Sequence, residues 1–175
     1  MIELDCKDSF LKKNLTNLLY RKKLISPTDN QNYFSTIHIK NCSNSIELII
    51  NGNSFDINLP IDINIFQKKI YEKLFEINVD FSNGNYYPYQ RLIKNKDYKK
   101  TYLSYLQNII LSNLILKDEG IEKFALYKLI WPEDRNISLN KLDTHLTNLK
   151  TYINSNLNIK INFHSQNKIL KLIID

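Results

Sequence analysis

Residues 138–153 read SLNKLDTHLTNLKTYI. Leu139, Leu142, Leu146, Leu149 and Ile153 recur at steps of three, four, three and four. On a 3.6-residue helix this spacing makes one narrow apolar stripe. Ser138 stands just ahead of the stripe, and its hydroxyl is the expected N-cap, accepting from a first-turn N–H. The face opposite the stripe carries Asn140, Lys141, Thr144, Asn148 and Thr151. His145 and Tyr152 line one flank and Asp143 the other. Such a helix has its back in a core and presents short hydrogen-bonding groups and a cation, which the major groove of DNA admits and which read its base edges. The plain alternative is a solvated face, since Thr, Asn and Lys are ordinary surface residues.

Around this helix, charge is unevenly spread. Residues 1–80 hold equal numbers of basic and acidic side chains, so residues 81–175 carry the whole net charge of +6. Between Arg135 and Lys171 the only acid is Asp143. The basic excess therefore gathers on the 138–153 helix and on the segment C-terminal to it, a field that favours a polyanion. Asn, Ile, Lys and Tyr are abundant throughout, which reads as a coding bias towards A and T and discounts composition as chemistry.

A chain of 175 residues, 43% hydrophobic and 24% charged, belongs with globular proteins of one ordinary domain or two small ones. Its apolar runs, such as 109–111 and 169–174, fall far short of the roughly 20 residues of a spanning helix. The opening MIELDCKDSF places acids where a signal peptide has cations. The expectation is a cytoplasmic protein without membrane association. Cys6 and Cys42 form no CxxC and have no His pair nearby, so they read as free thiols. His38, His145 and His164 are isolated, and the chain has three glycines and no phosphate-cradling loop. No catalytic residue, metal or cofactor is expected.

From the N-terminus, a strand over 1–4 and a helix over 9–24 are expected, then a turn at 26–30. A strand over 35–40 comes next. Segments 46–50 and 54–59 read as a hairpin over Asn51-Gly52, a strong turn signal. Pro60 ends it, and 64–75 reads as a helix. After residue 78 the texture changes to short strand-like pieces at 86–89, 91–94 and 98–103. Helices over 104–116 and 122–131 come after these, then the polar loop 132–136 and the helix of 138–153. Segments 159–163 and 168–174 form a terminal hairpin with its turn at 164–167. The units are 1–78 and 79–175.

Three helices and then a hairpin are the parts of a winged helix-turn-helix, and particular residues narrow this further. Leu103-Ser-Tyr-Leu-Gln107, Ile130-Trp131 and Leu142-Asp-Thr-His-Leu-Thr-Asn-Leu-Lys150 resemble three signatures of the DNA-binding domain of OmpR/PhoB-type response regulators. The resemblance implies a bacterial, nucleoid-associated transcription regulator with an N-terminal antiparallel sheet, three helices and a C-terminal wing. It implies double-stranded DNA as partner, a homodimer, and contact with RNA polymerase through loop 132–136, which holds Pro132, Glu133, Arg135 and Asn136. Expected DNA contacts on the helix are Asn140, Lys141, Thr144, His145, Asn148, Lys150 and Thr151, and on the wing His164, Asn167 and Lys168. Lys141 and Lys150 would neutralise phosphates while Thr144, Asn148 and Thr151 face bases. Asn148 and Lys150 stand where the family has Arg, so adenine remains readable but the guanine-reading fork is gone. The wing also lacks the family's Gly-x-Gly-Tyr.

Residues 1–78 resemble a shortened receiver domain. Only Asp8 remains of its acid cluster, beside Lys7, and Leu59 replaces the Lys before the late Pro. One carboxylate supplies too little charge for a hard divalent cation beside a phosphate. The resemblance therefore implies a receiver without phosphorylation chemistry, left as a dimerisation surface. Two alternatives stay open: a protein-interaction module, for which an Arg-poor helix is suited, and an architectural DNA binder of weak sequence preference.

Overall fold

The computed structural model describes residues 2–21, 35–41, 44–81 and 83–174. The turn expected at 26–30 and Cys42 lie outside these residues. The chain divides into two compact units, Met1–Ile77 and Asn78–Asp175.

In the N-terminal unit, β1 (Ile2–Cys6) leads into α1 (Ser9–Arg21), then β2 (Ser35–Asn41), β3 (Ser45–Ile50), β4 (Asn53–Asn58) and α2 (Ile63–Glu76). The sheet order is β1-β2-β3-β4, with β1 and β2 parallel and the remaining pairs antiparallel. Asn51 and Gly52 make the tight turn between β3 and β4 at φ 50° and 81°, the left-handed pair that a two-residue hairpin of right-handed twist demands. β3 alternates strictly: Ile46, Leu48 and Ile50 are buried and Ser45, Glu47 and Ile49 are not. The buried row shares its core with Leu15 and Leu19 of α1 and Phe66, Ile70 and Leu74 of α2. Asp62 starts α2 by accepting from the N–H groups of Asn64 and Ile65.

In the C-terminal unit, β5 (Val79–Asp80), β6 (Gly84–Tyr87), β7 (Leu92–Asn95) and β8 (Lys100–Tyr102) form an antiparallel sheet in chain order. Next come α3 (Tyr105–Leu116), β9 (Ile121–Glu122), α4 (Lys123–Ile130), α5 (Leu139–Leu157), β10 (Ile161–Gln166) and β11 (Ile169–Ile174). Strand β11 lies between β10 and β9 in a third sheet. Ser104 and Gln107 close a reciprocal capping box at the head of α3. Tyr86 joins sheet to helix: its hydroxyl donates to Asn108 Oδ1 at 2.7 Å and lies 2.7 Å from Ser112 Oγ. Burial pushes the Tyr86 phenol well above its ordinary pKa, against the lowering effect of the Ser112 bond.

The expected architecture, a receiver-like unit and then a winged helix-turn-helix, is corrected. Among the described residues the chain has eleven strands in sheets of four, four and three, with five helices and no closed barrel. A receiver alternates strands with helices so that its sheet is parallel throughout. Here the turn at Asn51-Gly52 forces a hairpin, and β1–β2 is the sole parallel pair among the described residues. In the C-terminal unit Ile121 and Glu122, Glu122 expected in a helix, pair instead with Leu170 and Ile169. The terminal hairpin is thus part of a three-stranded sheet rather than the two-stranded element expected. Helices α4 and α5 are separated by residues 131–138, longer than the 3–4-residue turn of a helix-turn-helix. Among the described residues the chain is an α/β protein in which strands outnumber helices.

Candidate nucleic-acid interface

Helix α5 forms where the leucine spacing places it and runs one turn further, because Leu157 continues the buried stripe of Leu142, Leu146, Leu149 and Ile153. Asn158 stops it in the left-handed conformation, φ 55°. Its start differs from expectation: Ser138 makes no side-chain cap bond, and Leu139 is 39% exposed rather than part of the core. On the side of Tyr152 the helix is fixed to β8. Thr101 donates to the Tyr152 hydroxyl at 2.9 Å, and that hydroxyl donates to the Tyr102 carbonyl at 3.0 Å. The Asn95 amide holds the C-terminal end through the Leu157 carbonyl, 3.0 Å away.

Asn140, Lys141, Thr144, Asn148, Lys150 and Thr151 are all exposed. Their availability differs. The Thr144 hydroxyl donates to the Asn140 carbonyl at 2.9 Å, which leaves its oxygen as an acceptor. Among the described residues Asn148 and Thr151 make no side-chain hydrogen bond, so both present free donors or acceptors. Lys150 donates to Asn162 Oδ1 at 2.6 Å, tying α5 to β10. Lys141 is held on three sides: 3.2 Å from Asp134 Oδ2, 4.2 Å above the Trp131 ring and 5.8 Å from that of Tyr127. His145 is half-buried with its ring 5.4 Å from Trp131, a packing role at the helix edge. Asp143, the one acid of the helix, is paired with Lys123 at 2.7 Å.

The hairpin tip differs in register from the sequence reading. Its turn is Asn167-Lys168 rather than 164–167, at φ 50° and 67°, and β10 continues to Gln166 opposite Ile169. His164, Asn167 and Lys168 are exposed. His164 is the cross-strand partner of Lys171, and Asn162 that of Ile173. Partners share a face, so Lys171 and Asn162 belong with His164. Sequence reasoning missed both. Alternation along the strand, with the turn placed two residues later, exposes them. Lys171's stem lies close to Gly120, where a Cβ would meet it at 2.8 Å.

Loop 132–136 is braced rather than loose. Asp134 accepts from the Tyr127 hydroxyl at 2.6 Å, from Lys141 and from the Asn136 N–H, and its carbonyl accepts from Lys128. The Tyr127 hydroxyl and then Lys141 hold the Asp134 carboxyl below its ordinary pKa. Glu133 and Arg135 remain exposed. In the N-terminal unit the carboxylate expected to survive from a metal cluster, Asp8, accepts from the Leu11 N–H at 2.9 Å and so caps α1. Asp5 bonds His38 at 3.1 Å across β1 and β2.

The surface that results is an exposed, hydrogen-bonding face on α5, its single acid neutralised, with a basic hairpin on the Lys150 side. Compared with known proteins, the chain matches no family model, no curated protein and no solved structure.

Proposed function

We propose that the exposed face of α5 reads double-stranded DNA and that the chain regulates transcription without phosphorylation. The observation that carries this is the pair Asn148 and Thr151, side by side on the exposed face with unspent hydrogen-bonding groups, on a helix anchored along its back by five buried aliphatics. Asn bonds adenine N6 and N7 bidentately, and Thr serves either as a polar contact or against the thymine methyl. Lys150, Lys168 and Lys171 supply phosphate contacts, and His164 and Asn167 the hairpin's polar ones. Asn140 and Thr144 complete the face towards the N-terminal end of the helix. A homodimer on paired half-sites, and an RNA polymerase contact through exposed Glu133 and Arg135, are part of the same reading.

One observation favours a second reading, a protein-interaction module. Lys141 and Lys150, the cations meant for phosphates, both have internal partners. The test is binding of labelled genomic fragments against random duplexes at several salt concentrations. Preference for particular fragments, with affinity falling as salt rises, supports a regulator. Binding without preference supports an architectural role. No binding at low salt supports the protein module and rejects DNA.

A further inference from the structure

The antiparallel sheet β5–β8 has two faces of opposite character. Tyr86, Ile93 and Thr101 are neighbours in register, all buried, and they meet α3 and α5. Side chains alternate across a strand, so the adjoining rows point the other way. One is Tyr87, Leu92 and Tyr102, and the other Asn85, Lys94 and Lys100. Leu92 is buried, while Tyr102 is 57% exposed and Lys94 and Lys100 are exposed. The Lys94 ammonium rests 4.9 Å above the Tyr87 ring.

Two features of this face are costly where it meets water, around Lys94, Lys100 and Tyr102. Lys94 and Lys100 are directly opposed, and like charges at opposed positions destabilise a strand pair. Tyr102 spreads an aromatic ring into solvent beside them. An anionic chain carrying flat apolar groups removes both costs at once: its phosphates neutralise the lysine pair and its bases stack on the tyrosine. Duplex DNA fits less well, because its bases are already stacked inside the helix. From this juxtaposition we infer that the outer face of β6–β8 binds single-stranded nucleic acid, with Lys94 and Lys100 on phosphates and Tyr102 stacking a base. The inference does not rest on the function of α5.

The probe is a fluorescein-labelled oligothymidylate of about 12 nucleotides, titrated with the full chain and followed by anisotropy at several salt concentrations. Saturable binding is expected. Tyr102→Ala weakens it about tenfold or more and Tyr102→Phe retains it, since stacking needs the ring and not the hydroxyl. Lys94→Gln with Lys100→Gln lowers the salt slope by about 1.4, at ~0.7 per phosphate contact on a single strand. Asn148→Ala leaves these values unchanged. All four positions are exposed, and circular dichroism verifies that each variant is folded. Absence of binding by the unmodified chain at low salt overturns the inference. So does binding that Tyr102→Ala and the lysine pair leave untouched, or that Asn148→Ala abolishes.

Discussion

The Lys141 ammonium lies 4.2 Å above the centre of the Trp131 ring. The contact joins the first turn of α5 to the residue that caps α4, and the Trp131 ring in turn tilts against Tyr127 at 4.7 Å and His145 at 5.4 Å. A cation so placed holds two helices together before it can serve any ligand. Lys141→Ala therefore lowers stability, by about 0.5–1 kcal/mol for the lost cation–π contact. It also changes the salt slope of DNA binding by less than the unit expected for a free phosphate-binding lysine. Urea unfolding and salt titration of the same variant measure the two effects; a full unit of slope with unchanged stability contradicts this placement.

Asp134 gives loop 132–136 a pH dependence. Its folded pKa is depressed, first by the Tyr127 hydroxyl and then by Lys141. The contribution to stability is therefore present above the unfolded Asp value of about 3.9 and is lost as pH falls through the lower folded value. Carbon NMR of the Asp134 carboxyl should give a midpoint below the ordinary one. Tyr127→Phe should raise it more than Lys141→Met does, in keeping with the order of causes.

The hairpin tip places a lysine where glycine is at ease. Lys168 has φ 67°, and a non-glycine residue in the left-handed region costs roughly 1–2 kcal/mol. Lys168→Gly should raise stability by about 1 kcal/mol, partly offset by glycine's greater entropy when unfolded. It should also reduce the salt slope of DNA binding by about one unit. Chemical denaturation reads the gain, and a loss of stability contradicts the left-handed turn.

Two glycines separate two kinds of constraint. A Cβ on Gly84 would lie 2.0 Å from the Lys94 carbonyl oxygen and 2.8 Å from Asn95 Cα, so backbone must move. At Gly52 a Cβ meets nothing within 4 Å, and only φ 81° opposes it. Gly84→Ala should strip amide protection from β6 and β7, whereas Gly52→Ala should cost about 1 kcal/mol with the hairpin intact. Hydrogen exchange distinguishes them. Equal effects contradict the close approach of β6 and β7.

Local signals are readable where one residue type answers one backbone demand. Asn51-Gly52 announces its hairpin because both positions take positive φ, and the leucine steps of α5 announce its buried side because they repeat the helical period. The hairpin tip is unreadable by the same rule: Lys168 occupies a left-handed position that lysine does not advertise, so a turn read from polarity falls too early and Lys171 is overlooked. Strand β9 is two residues long, and Ile121 shows itself as a strand only through β11, some fifty residues on. Such non-local pairing has no period of its own in the sequence. The apparent helix-turn-helix spacing likewise gives no sign that Asp134 braces the loop before α5. On the helix, period separates buried from exposed side chains, yet it is silent on which exposed lysine is already partnered. Lys141 and Asn148 lie on one surface, and only tertiary contacts distinguish the held cation from the free amide.

The most direct test of the central claim is a ¹⁵N NMR titration of the full chain with a mixed-sequence duplex of about three helical turns. Binding by the exposed face of α5 predicts shift changes concentrated at Thr144, Asn148 and Thr151 and at the hairpin residues His164, Asn167, Lys168 and Lys171. The side-chain amide of Asn148 should move with its backbone. Changes confined to other surfaces, or none at low salt, would contradict it.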